Sequence, residues 1–272
     1  MIEILPPSAW LEFRGAPKKP GGNLTTHQAL IADSKGQQHL CYVKAAPVNS
    51  PMPFAEALAW LVAEALDLPR PKFAALLQLP LNNVRPYMAL DQHWQAYPTV
   101  LAFCTSKVDG KHIDSRWRWA HHLRKIKAYK HVDVARIAAF DYWIENQDRH
   151  SGNFLKTKAG GYIPIDNEYV LYSLLWVAYH ASMGISVNHQ SIYDEAKVHL
   201  KVSGHTKFKV SMMLASKHHE AGLDAVMPNL KQLCLMLVPD PAKRQNFEGQ
   251  IFQFLQDRGE QDWMANELGL IP

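Results

Sequence analysis

Short apolar runs broken by turn residues dominate the first third of the chain, whereas longer stretches with helical spacing dominate the rest. Leu24 to Ala32 and Leu40 to Ala45 flank Asp33-Ser-Lys-Gly36, a pattern that predicts two paired strands and a tight turn. Upstream, Arg14 to Asn23 is rich in Gly, Pro and Lys and reads as a loop. Pro53 to Leu66 reads as a helix, ended by the stretch Asp67 to Pro71. Phe54, Leu58, Leu61, Val62 and Ala65 stripe one side of it, and Ala59, Trp60 and Ala63 make the other side apolar too. Such a helix is expected to be buried on both faces. Pro80 to Ser106 holds apolar stretches suited to one or two strands, without clear edges.

Beyond that point the period becomes helical. Val132 to Asn146 is amphipathic, with Asp133 placed to cap it, and it stops just before Asp148. Phe154-Leu155 and Tyr162 to Ile165 predict a hairpin across Ala159-Gly160-Gly161, with Asp166 at its exit. Pro228 to Leu237 and Asp240 to Gly259 are further helical segments. The pattern divides the chain into a β-rich part, 1–104, and a helical part, 105–272.

Composition narrows the class. Of the 272 residues, 47% are apolar and 20% charged, which excludes a disordered chain and supports a substantial core. The formal charge of +4 favours phosphate-bearing partners without requiring nucleic acid. Cys41, Cys104 and Cys234 are scattered and odd in number, so neither a disulfide framework nor a cysteine zinc site is expected. His121-His122 and His218-His219 are adjacent pairs rather than the i, i+4 spacing of a helical zinc site. The opening Met-Ile-Glu-Ile-Leu-Pro-Pro has no signal-peptide layout, and the most apolar run, Tyr169 to Tyr179, is too short to span a bilayer. A cytoplasmic location, without a membrane partner, is the expectation.

The candidate chemistry lies between Phe140 and Asp166. Asp148 is followed five residues on by the amide Asn153 and, after the hairpin, by the carboxylate Asp166. Phosphoryl transfer needs such a set: one group to orient and deprotonate an attacking hydroxyl, and two oxygen donors to hold Mg²⁺. Arg149 and His150 are placed either to steady phosphate charge or to hold the loop. From the β-rich part, Lys44 in Tyr-Val-Lys is placed to reach the phosphates of ATP, with Glu56 or Glu64 as its carboxylate partner. The alternative for Lys44 is an edge-strand lysine that discourages aggregation. Lys18, Lys19, Gly21 and Gly22 suit a phosphate-covering loop or a flexible surface loop, and they match no Walker A or dinucleotide fingerprint.

In this order, Tyr-Val-Lys44, Glu56, Leu-Asp-Leu-Pro-Arg-Pro71, Asn146-Gln-Asp148-Arg-His-Ser-Gly-Asn153 and Ile-Asp166 resemble the HipA-like kinases, in their compact form. The resemblance implies an α+β, bilobal protein-kinase-like fold with a small β-rich N-lobe and a larger helical C-lobe. It also implies ATP and Mg²⁺ as cofactors, a bacterial source, and a serine or threonine of a protein substrate as the acceptor. Carried over residue by residue, Lys44 binds the phosphates, Glu56 pairs with it, Asp148 is the base, and Asn153 and Asp166 hold the metal. The family includes toxins with antitoxin partners, although no residue here carries that role. Where HipA has an Asp-x-Asp-like metal segment, this chain has Asp166-Asn167-Glu168. Asp-Arg-His followed by Asn is also how phosphatidylinositol kinases write this loop, so a lipid or small-molecule acceptor is the alternative.

A reading of another class rests on Ser115 to Lys130, where cations alternate with aromatic rings. Such a segment suits a nucleic-acid patch on a catalytically weak kinase fold, or a dock for an acidic protein. The competing reading is a solvated helix whose tryptophans face the core.

Overall fold

The computed structural model describes residues 2–16, 25–88, 94, 96–113, 118–186, 188–238 and 240–270. Lys18, Lys19, Gly21, Gly22 and Leu24, and the first residues of the 115–130 segment, lie outside them. The architecture is mixed, with a sheet in the N-terminal region and helices in the C-terminal region. Two compact units are present, Met1–Ala57 with Pro71–Val108, and Leu58–Arg70 with Asp109–Pro272.

The first unit is built on strands β1 (Glu3–Leu5), β2 (Trp10–Gly15), β3 (His27–Ala32), β4 (Gln38–Pro47), β5 (Ala74–Pro80) and β6 (Thr99–Ser106). They form one sheet in the order β1-β5-β6-β4-β3-β2, parallel only between β1 and β5. The expected turn joins β3 to β4: Gly36 takes φ +80°, and Asp33 Oδ1 accepts the N–H groups of Lys35 at 2.9 Å and Gln37 at 2.8 Å. Cys41, Val43 and Ala45 point to one face with Ile31, Leu77 and Val100, and they pack with Leu81 and Val84 of helix α2 (Leu81–Val84). Lys44 points to the other face, in register with Phe103, which in turn pairs with Leu76. β4 lies between β6 and β3, so the edge-strand reading of Lys44 fails. β5 escaped the periodicity because it is buried on both faces and shows no alternation. β2 carries strand structure through Arg14 to Gly15, where a loop was expected.

Helix α1 (Met52–Ala65) matches the expected segment, and its residues 52–63 are all buried. Its first residues belong to the first unit and Leu58 onward to the second. The helix ends at Asp67, where φ is +49°, and the carbonyls of Leu66 and Asp67 accept from Arg136 at 3.1 and 2.9 Å. A guanidinium there satisfies acceptors that the helix leaves over.

In the second unit the chain forms β7 (Gly110–His112), α3 (Arg118–Tyr129), α4 (Val132–Trp143), β8 (Phe154–Thr157) and β9 (Tyr162–Pro164). Helices α5 (Tyr172–Leu175), α6 (Val177–Met183), α7 (Ile192–His199), α8 (Val202–Ser216), α9 (His219–Leu237), α10 (Pro241–Gly259) and α11 (Trp263–Glu267) follow. β7, β8 and β9 make a small antiparallel sheet, and the hairpin turns at Gly160, where φ is +96°. Along α4, Val134, Ile137, Ala138 and Phe140 are buried, and Ile137 and Ala138 share a core with Phe208 and Met212 of α8. Trp143 is fully buried, donates to the Leu255 carbonyl at 2.8 Å and stacks on His219 at 4.4 Å.

Three local expectations change. His131, not Asp133, caps α4: it is extended, and its Nδ1 accepts from the Asp133 N–H at 3.2 Å. The Asp133 carboxylate accepts from the Tyr162 N–H at 3.0 Å instead and ties the helix to β9. Pro228 sits inside α9 rather than at its start. It forgoes one N–H bond, and burial of Leu223, Val226, Leu230 and Leu233 along the helix outweighs that loss. Trp119 of α3 faces solvent with 66% of its surface exposed, so the core-facing reading fails for this ring. Among the described residues, no helix is long and apolar enough to cross a membrane.

Candidate active site

Within the first unit, Lys44 Nζ donates to Glu56 Oε1. The strand supplies the lysine and the first turns of α1 supply the carboxylate, which is nearly fully buried. Glu64, the competing partner, pairs instead with Arg70 at 3.2 Å. Lys44 stands beside the buried Phe103, so its charge is held by the carboxylate among apolar neighbours.

In the second unit, Asp148 and Asn153 sit in the loop after α4 and Asp166 at the hairpin exit, and one side chain ties the Asn153 and Asp166 segments together. Arg149 is fully buried. Its Nε donates to both oxygens of Asp141, at 3.1 and 3.0 Å. Its Nη1 donates to the carbonyls of Asn153 at 2.9 Å, Asp166 at 3.4 Å and Ile165, and Nη2 donates to Asn167 Oδ1. One guanidinium therefore fastens the end of α4, the catalytic-loop candidate and the exit of the hairpin. With every nitrogen so engaged and no exposure, Arg149 holds the loop and cannot also meet a phosphate. Burial raises the Asp141 carboxyl, and Arg149 beside it, then Asn146, act against that rise.

The rest of the loop is pinned as tightly. Asn153 Nδ2 donates to the Asp148 carbonyl at 2.7 Å, which fixes the amide and leaves its oxygen as the atom to offer a cation. The Ile165 N–H donates to the Asn153 carbonyl at 2.9 Å, joining the two candidate metal segments. His150 Nδ1 accepts from the Gly152 N–H at 3.0 Å and caps the short 3₁₀ turn Ser151–Asn153. A Cβ at Gly152 would lie 2.6 Å from the His150 ring, so any larger residue there would displace that ring and its bond to the Gly152 N–H. Asp148 Oδ1 accepts from Gln190 Nε2 at 3.3 Å, while the Arg149 N–H donates to the Gln190 carbonyl at 3.0 Å. Glu195 of α7 accepts from Tyr129, from Lys125 at 3.1 Å and from the Ser151 N–H, which anchors the loop to α3 and α7.

Tyr169 feels the charges of the neighbouring carboxylates. Burial first, then the charges of Glu168, Asp148 and Asp166, push its phenol up to about 12. Asp166 itself has left-handed backbone, with φ +63°. Hydrogen bonds through the main chain thus join the loop segments that carry Asp148, Asn153 and Asp166, whose oxygens are of the type suited to a hard divalent cation.

Gly21 and Gly22 fall outside the described residues. Sequence reasoning missed Asp141, Gln190 and Glu195, and it gave Asn146 and Asn167 no task of their own. Asp141 carried a signal: it is a carboxylate amid Phe140, Tyr142, Trp143 and Ile144, where burial of a charge requires a partner.

No protein-family model matches the chain. No curated protein matches it either. Among solved structures, the proinflammatory kinase CtkA of Helicobacter pylori is similar at 13% identity, covering 98% of this chain and 99% of that one with a TM-score of 0.49. A likeness at that level carries no weight for the chemistry, which rests on the side chains themselves.

Proposed function

We propose that the protein is an ATP-dependent kinase of HipA-like type, with the bilobal arrangement that implies, transferring the γ-phosphate to a hydroxyl of a protein serine or threonine. One observation carries the proposal: Arg149 locks Asp148, Asn153 and Asp166 into a single loop-and-hairpin assembly whose side chains supply a base and two oxygen donors. Such rigidity suits phosphoryl transfer, where catalysis is largely positioning and charge stabilisation.

In this reading Asp148 orients the acceptor hydroxyl and takes its proton as the oxygen attacks the γ-phosphorus, while the bond from that phosphorus to the bridging oxygen breaks and ADP leaves. Asn153 Oδ1 and the Asp166 carboxylate hold Mg²⁺, and both are hard oxygen donors of the type that ion prefers. The bound ion supplies neutralisation of phosphate charge. Lys44, oriented by Glu56, takes the α- and β-phosphates. Residues 1–104 accordingly carry the nucleotide-binding strands and helix and 105–272 the catalytic and metal loops, in a cytoplasmic enzyme.

The test is phosphate transfer from labelled ATP into a cell lysate. Asp148→Asn is expected to lower labelling by roughly 10²–10⁴-fold, the usual weight of a general base. It should leave intact the rise in melting temperature that Mg²⁺ and ATP produce. Labelling at the unaltered rate would overturn the assignment.

A further inference from the structure

The 118–130 segment is not used by the chemistry above, and its exposed face is unusual. Trp119 and Leu123 are 66% and 56% exposed and lie four residues apart, on one face of α3. His122, between them, meets His199 of α7 with their Nδ1 atoms 2.9 Å apart. That contact brings the outer edge of α3 alongside the end of α7 and the start of α8, where Val198 and Val202 are 80% and 85% exposed. Lysines accompany these apolar tips: Lys127 and Lys130 follow α3's exposed face, and Lys197 and Lys201 flank the valines, all four exposed. α3 contains no acidic residue. Of the two acids on α7, Glu195 is neutralised by Lys125 at 3.1 Å, which leaves Asp194.

We infer that this edge of the second unit docks on an anionic lipid bilayer. The charge balance calls for an anionic surface. The apolar residues decide which one. Valines exposed to this degree project outward and line no groove, so they suit a deformable interface rather than a bound peptide helix. Single-stranded nucleic acid would ask for several stacking rings. Here Trp119 is the one exposed Trp, Tyr or Phe among the described residues of α3, α7 and α8. An indole at headgroup depth, aliphatic tips just below it and lysines reaching up to phosphates form the usual layout of a peripheral contact.

The experiment is sedimentation of the full-length chain with vesicles of phosphatidylcholine alone or mixed with phosphatidylglycerol, at physiological salt. Binding is expected only to the anionic vesicles. Lys127→Gln with Lys201→Gln should reduce partitioning by more than tenfold, at roughly fivefold per cation. Val198→Ser with Val202→Ser should reduce it several-fold with an unchanged melting temperature. The inference is overturned by equal recovery from both vesicle types, by no binding to either, or by anionic binding indifferent to the valines. Tight binding of an oligonucleotide that depends on Trp119 but not on Val198 or Val202 would replace it with the nucleic-acid reading.

Discussion

The two units place their candidate functional groups by different means. In the first, Lys44 and Glu56 stand on a strand and a helix, and the register of β4 with β6 and the pitch of α1 decide where each points. In the second, Asp148, Asn153 and Asp166 stand on loops, where no repeat sets direction. A buried guanidinium bonded to Asp141, Asn167 and several carbonyls takes over that task. Regular structure positions a side chain through its backbone hydrogen bonds. An irregular segment needs a polar hub, and a hub fails as a unit. The loop assembly should therefore be the more fragile of the two, in fold and in activity together.

The largest effect is expected at that hub. Arg149→Ala leaves Asp141 buried without its cation and frees several carbonyls, a loss of about 3–5 kcal/mol. Urea denaturation measures it, and labelling activity should vanish in parallel. Pairing Arg149→Met with Asp141→Leu is expected to recover part of the stability while activity stays absent, because the apolar pair cannot hold the Asn153 and Ile165 carbonyls. Recovery of activity in the double variant would remove the contrast between the units.

Next comes the ion pair on regular elements. Lys44→Met should lower phosphoryl transfer by roughly 10²-fold or more, the scale on which single charge-stabilising donors act. Its cost in stability should be about 1–3 kcal/mol, below that of Arg149→Ala, since Lys44 retains some contact with water. A loss of stability as large as the hub's would show that strand and loop sites are equally dependent on their charges.

The smallest effect tests burial in the second unit away from the site. His219 stacks on Trp143, and burial holds its imidazole down at about 3, against 6.5 when unperturbed. Between those values the unfolded chain binds a proton that the folded chain refuses, so stability falls as pH falls. The loss should reach about 2 kcal/mol between pH 7 and pH 5. His219→Phe, which preserves the stacked ring, should flatten that slope in denaturation measured at both pH values, and an unchanged slope would assign the acid sensitivity to another group.

Much of the fold was legible where local chemistry decides it. The Asp33 to Gly36 turn, the Gly160 hairpin and the doubly apolar α1 follow from turn residues and spacing. β5 did not, since a strand covered on both faces leaves no alternation to detect. Nor did the continuity of α9 through Pro228, which depends on tertiary burial. At the candidate site, the placement of Asp148 and Asn153 after α4 and of Asp166 at the hairpin exit was readable, because turn residues and spacing decide it. For Arg149 the sequence offered two tasks, steadying phosphate charge or holding the loop, and could not choose between them. The choice depends on carbonyls of residues 153, 165 and 166, and main-chain acceptors leave no mark in a sequence.

Asp166 has a further meaning through its φ of +63°. Backbone of that hand is comfortable for glycine and tolerable for asparagine and aspartate, and poor for longer or branched side chains. Of those three, aspartate alone brings a negative charge. The bend after the hairpin and, in the proposed reading, the need for an anionic oxygen thus screen the same position independently, and one amino acid passes both.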